Sequence, residues 1–152
     1  MYSAIGIAKY VINRYSTFRK PTTNLKLQKT LYYIQGYFLK LTGEKAFSDN
    51  IESWKYGPVV PSVYYEYCSY VSGEINENYD LDSDVVLINK HKEDCKIINQ
   101  VVDKCKEYTA IELVNKTHLE RPWAETESSQ VISEDKIRSY FMNADPLEVE
   151  SE

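Results

Sequence analysis

The apolar positions change period along the chain, and each change marks an element. In residues 3–17, Ile5, Ala8, Ile12 and Tyr15 recur at helical spacing. Pro21 and Thr22-Thr23-Asn24 break that helix and offer a cap for the next. From 24 to 42, Leu27, Leu31, Ile34, Phe38 and Leu41 step by four and three into one stripe. Gly43 stands where a helix ends in a left-handed turn. Gly36, inside that helix, predicts a close crossing with another. Ile51-Glu52-Ser53-Trp54-Lys55-Tyr56 alternates apolar and polar, which predicts a short strand ended by Gly57-Pro58. Ser62 caps a predicted helix over 62–71, and residues 72–84 read as an acidic loop. The apolar run Val85–Ile88 predicts a second strand. Helices follow over 91–107 and 110–117, the latter opened by the capping-box pair Thr109 and Glu112. Pro122 starts a short helix anchored by Trp123, and Ser133 caps a last one carrying Ile137, Tyr140 and Phe141. The predicted fold is α+β and mainly α: a compact helical domain with a small two- or three-stranded sheet or hairpin. The domain spans 1–142, and the acidic tail 143–152 is expected to fray.

A chain of 152 residues with 43% apolar and 27% charged residues matches one globular domain. No apolar run reaches the ~20 residues of a membrane helix, and Lys9 interrupts what a signal peptide would keep apolar. Both point to the cytoplasm. Cys68, Cys95 and Cys105 lack framework spacing and read as thiols.

The net charge of −5 hides a split. Residues 1–45 hold eight bases and one acid, net +7; the remainder holds ten bases and 22 acids, net −12. The two portions can attract each other within the fold, or the basic one can meet an acidic partner. Lys26 and Lys29, with Arg14, Arg19 and Lys20 nearby, are the residues a nucleic-acid partner would use.

Little points to catalysis. No phosphate loop, dinucleotide turn or nucleophile elbow occurs. Asp80-x-Asp82-x-Asp84 opens like a calcium loop, but Val85 and His91 fill the positions needing glycine and glutamate. His91 and Cys95 supply half a metal site without its other half. His118 reads as a structural hydrogen-bonding group, and as a general base only if an acid or nucleophile meets it in space. No catalytic residue, cofactor or metal is expected.

Tyrosine is the compositional outlier, at 14 copies. It offers large contact area for little rotamer entropy, which suits partner binding. Candidate anchors are Tyr32, Tyr33 and Tyr37, Trp54 and Tyr56, and Tyr64 and Tyr65, with core packing as the alternative for each.

Three stretches together carry a resemblance: Leu25–Gly36 (LKLQKTLYYIQG), Trp54–Tyr64 (WKYGPVVPSVY), and Leu113–His118 followed by Pro122-Trp123. Their order and spacing resemble the Panacea domain, the SocA-like antitoxin domain often described as phage-associated. The resemblance covers roughly residues 3–142 and departs at Glu120-Arg121, where many relatives are small and glycine-rich. It implies an antitoxin that binds and neutralises a co-encoded protein toxin in a bacterial or phage-infected cell. It also implies a role as adaptor to a cytosolic protease. Leu27, Gln28, Gly36, Gly57, Pro58, His118, Pro122 and Trp123 are the motif residues expected to be structural. A nucleic-acid-binding regulator using the basic N-terminal third is the alternative; an enzyme using His118 is a third.

Overall fold

The computed structural model describes residues 1–149. Helix α1 (Ala4–Thr17) starts at Ser3, whose hydroxyl accepts from the Gly6 N–H at 3.0 Å. Helix α2 (Asn24–Thr42) is capped by Thr23 and ends at Gly43 with φ +79°. Then come strands β1 (Glu52–Trp54) and β2 (Gly57–Val59), α3 (Pro61–Tyr67) with a 3-10 turn over 68–70, and α4 (Ser83–Asn89). Helices α5 (Lys92–Cys105), α6 (Ala110–His118), α7 (Arg121–Ala124) and α8 (Glu134–Asn143) complete the order. The fold is α+β and mainly α, with one small two-stranded antiparallel sheet among the described residues.

Helix α2 is the axle. It packs against α1, α3, α5, α6, α8 and β2, so every residue from Leu27 to Leu39 is buried. The expected stripe of Leu27, Leu31, Ile34 and Phe38 is inside, but so is the opposite side. Gly36 lies under Phe141 of α8, where an added Cβ would sit 2.2 Å from the ring. This is the close crossing that a mid-helix glycine predicts.

Two element assignments differ from expectation. Val85–Ile88 is helical, because Asp82 accepts from the Asp84 N–H at 2.9 Å and starts α4. Val85 and Ile88 then face the core three residues apart. A four-residue apolar run cannot separate strand from helix by period, and the cap decides it. Gly57-Pro58 does not end the sheet but opens β2, in the register Ser53↔Pro58. Ser53 directs its N–H to Gln130 and its C=O to Ser129, on the far side from Pro58. A proline opposite it therefore costs no ladder hydrogen bond.

The expected charge attraction is visible as ion pairs. Lys9 reaches Asp82 at 2.9 Å, Arg14 reaches Asp103 at 2.8 Å and Lys45 reaches Glu134 at 3.5 Å. The tail differs from the fraying expected from Asn143 as far as residue 149. Tyr37 Oη donates to Asp145 and accepts from the Leu147 N–H at 2.9 Å, and Leu147 and Val149 join the core. The folded unit thus runs past the expected boundary at 142; residues 150–152 lie outside the described part.

Candidate partner-binding groove

The three motif stretches, distant in sequence, converge on the hairpin. Its turn is Lys55-Tyr56, and Gly57 follows with φ +108°, a value that glycine tolerates best. There is no room for a side chain there: an added Cβ would meet Lys29 Cε and Thr117 Oγ1, each at 2.8 Å. Lys29 is fully buried, and its ammonium donates to the Pro58 carbonyl at 2.9 Å. Burial pulls its pKa from 10.5 down to about 7. Gln28 accepts from the Val60 N–H at 2.8 Å and donates to Asn24, whose own amide donates to the Tyr64 carbonyl at 3.1 Å. One side-chain relay from α2 therefore fixes both the exit of β2 and the start of α3.

The other side of the socket comes from α6 and α7. His118 stacks on Trp123 with centroids 3.9 Å apart and planes 15° from parallel. Trp123 Nε1 donates to the Trp54 carbonyl at 2.8 Å. Burial lowers the His118 pKa, a hydrogen bond to the Lys55 backbone opposes that, and nearby Lys29 adds to it. Its buried Nε2 has no protein partner among the described residues. Beneath lies Glu120, buried, accepting from Tyr33 Oη at 2.7 Å and Tyr32 Oη at 2.9 Å. Burial raises its carboxyl to about 7, while both tyrosine hydroxyls and Lys116 pull the other way.

Several predicted contact residues therefore change role. Tyr33 and Tyr37 are buried, one serving Glu120 and the other holding the tail, so neither is an exposed anchor. Tyr32 likewise serves Glu120 from the core. Lys29 is internal and cannot reach a partner. Lys26 is half-buried and donates to the Tyr108 carbonyl at 2.6 Å. Lys40 similarly donates to the Ala144 carbonyl. With Lys9, Arg14 and Lys45 in ion pairs, six of the eight N-terminal bases are used inside the fold.

The remaining aromatic candidates stand together outside the socket. Trp54 lies edge-on to Tyr64 at 5.0 Å, Tyr64 is 5.4 Å from Tyr65, and Tyr56 is exposed at the hairpin tip. Trp54 Nε1 donates to Glu52 at 2.9 Å. Trp54, Tyr56 and Tyr64 line an open groove of about 410 Å³ together with Leu25, Gln28 and Val71. Sequence reasoning missed Glu120 and Val71. Glu120, beside Arg121 and two residues after His118, gave no cue to burial, and Val71 sat in a run read as helix.

A family model described as "Antitoxin SocA-like, Panacea domain" matches residues 27–124, from α2 through α7. The chain belongs to this Panacea-domain family. The matched span contains the hairpin socket and every aromatic residue of the groove. The Panacea-domain chain is also similar to Antitoxin SocA of Caulobacter vibrioides (strain NA1000 / CB15N), at 38% identity over 61 residues. That alignment covers 40% of this chain and 32% of the relative, about a third of its length. No solved structure matches the chain.

The remaining chemistry-bearing residues have structural partners. Asp82 caps α4 and pairs with Lys9, and Asp80 accepts from Asn13. Cys95 donates to the Ile88 carbonyl, while His91 lies edge-on to Tyr2. Among the described residues no three His, Cys, Asp or Glu side chains gather as a metal site, and no helix is long and apolar enough to cross a membrane.

Proposed function

We propose that this chain is an antitoxin that neutralises a co-encoded protein toxin by binding it directly, in the bacterial or phage-infected cytoplasm. The observation that carries this reading is the surface cluster of half-buried Trp54 and Tyr64 with exposed Tyr56 and Tyr65, contributed by the hairpin and the adjoining α3 and held by the family-motif residues. A partner gains most from aromatic anchors that are already immobile, because little entropy remains to be lost. Family membership supplies the class of partner. The nucleic-acid reading loses support because three of its five named bases, Arg14, Lys26 and Lys29, are engaged within the fold, leaving Arg19 and Lys20 exposed.

The test is co-expression with the product of the adjacent gene, followed by gel filtration of the purified pair. Rescue of growth with a co-eluting complex supports direct binding. Rescue accompanied by disappearance of the toxin protein, reversed by removing the host's ATP-dependent proteases, assigns the chain to delivery. A neighbouring product that is harmless alone ends the reading.

A further inference from the structure

We propose that Lys29 positions the toxin-binding hairpin as an uncharged amine, so that toxin affinity falls as the solution is acidified. This rests on the antitoxin role proposed above and adds to it a positioning residue and a sensitivity to protons.

Placement is the first support. Lys29 has no exposed surface, and its amino group donates to the Pro58 carbonyl at 2.9 Å. Its tip also fills the space left by the missing Gly57 side chain. An added Cβ there would lie 2.8 Å from Lys29 Cε and 3.2 Å from Nζ. Gly57 and Pro58 are the β2 residues paired with Trp54 and Ser53. One side chain of α2 therefore backs the strand directly opposite Trp54, whose ring contacts both Tyr64 and Tyr65.

Chemistry is the second. An ammonium brings three donors and a charge, and once buried it needs a counter-charge or water. The groups around Lys29 supply neither. His118, on α6, carries positive charge or none, and Thr117 gives its hydroxyl proton to the Val114 carbonyl. Glu120 accepts from Tyr32 and Tyr33 and pairs with Lys116 at 4.0 Å. On α5, Cys105 faces Thr30 and Lys26; on α1, Tyr15 bonds to Thr30. On α3, Tyr67 bonds to Tyr79; on α8, Tyr140 faces Glu120. Burial, with no carboxylate opposing it, brings the Lys29 pKa down to about 7.

Protonation then shifts a population. The uncharged amine keeps its bond to Pro58 and needs no counter-ion. The charged one is relieved only by water, which reaches it when Gly57-Pro58 lifts from α2. The seated hairpin holds this proton less tightly than the lifted one, so acid favours the lifted one. A face that binds only when seated loses affinity in proportion to the seated fraction. His118 ionises below its ordinary 6.5 and acts in the same direction only in more acid solution. Glu120 titrates in the same range as Lys29, and comparison with a variant that keeps Glu120 separates the two.

Calorimetric titration of the full chain with the purified product of the adjacent gene, at pH 6.5 and 9, tests this, with circular dichroism confirming the fold at each pH. The affinity of wild type relative to Lys29→Met is expected to fall about tenfold from pH 9 to 6.5. Lys29→Arg keeps its proton at both pH values and is expected to bind weakly at each, without the recovery of wild type at pH 9. In the free chain, hydrogen exchange of peptides covering residues 54–60 should quicken in wild type relative to Lys29→Met on the acid side. Parallel wild-type and Lys29→Met profiles in binding and exchange, or Lys29→Arg binding like wild type at pH 9, overturn the positioning role and leave the antitoxin role standing. If wild type forms no complex at either pH, the antitoxin reading falls and the affinity claim with it, while the exchange comparison still decides whether Lys29 seats the hairpin.

Discussion

Replacing Glu120 by glutamine isolates the cost of the buried carboxylate under the hairpin socket. In the folded chain this carboxyl is raised from 4.5 to about 7, chiefly by burial. A folded pKa above the unfolded one means that the native state holds the proton more tightly. The stability so contributed is complete below about pH 4.5, is lost as pH rises through 7, and stays lost above. At ~1.4 kcal/mol per pH unit between the two values, the loss is about 3 kcal/mol. Tyr32, Tyr33 and Tyr140 face the carboxyl, but burial holds their hydroxyls above the ordinary value, so they stay neutral across this range. Lys116 is the facing cation, at 4.0 Å. Glu120→Gln keeps an oxygen for one tyrosine and does not titrate. Urea unfolding of both proteins from pH 4 to 8.5 should show wild type losing about 3 kcal/mol relative to the variant, or ~6–12 °C in a chain of this length. Parallel profiles would refute the claim that a proton is held there.

Lys29→Met should do the opposite: the lysine's pKa lies below its unfolded value, so wild-type stability rises with pH between about 7 and 10.5. The variant should lack that rise, gaining most on wild type below pH 7, as pH-dependent denaturation will show. Gly57→Ala should destabilise by ~2–4 kcal/mol, because the positive φ and the 2.8 Å approaches of Lys29 and Thr117 act together. Its thermal melt should fall well below that of Gly43→Ala, where nothing lies within 4 Å of the added methyl. Gly36→Ala should cost ~1–3 kcal/mol by driving α2 from Phe141, and near-ultraviolet dichroism should report the displaced ring.

Residues whose signal was local were legible. Thr23, Thr109 and Ser133 cap the helices they were expected to open, and Gly43 closes α2, whereas Ser62 lies inside α3 and its hydroxyl donates to Asp49. What depended on the third dimension was not. Tyr33, Tyr37 and Lys29 lie off the α2 stripe and look solvent-facing in sequence. Because α2 is surrounded, they are buried and each needs its own polar partner. The tail looked soluble by its acids, yet Leu147 and Val149 were enough to dock it once Tyr37 supplied a hydrogen-bonding post. Val85–Ile88 shows the limit of period in short runs: Asp82 carried the deciding information from outside the run.

The proposed toxin-binding face is the aromatic surface of the hairpin and α3. Hydrogen–deuterium exchange of the chain, alone and saturated with the adjacent gene's product, measures this most directly. Toxin binding there slows exchange in peptides covering residues 54–72 and leaves α5 and α8 unchanged. Protection confined to α5 or α8, with residues 54–72 exchanging as in the free chain, would contradict it.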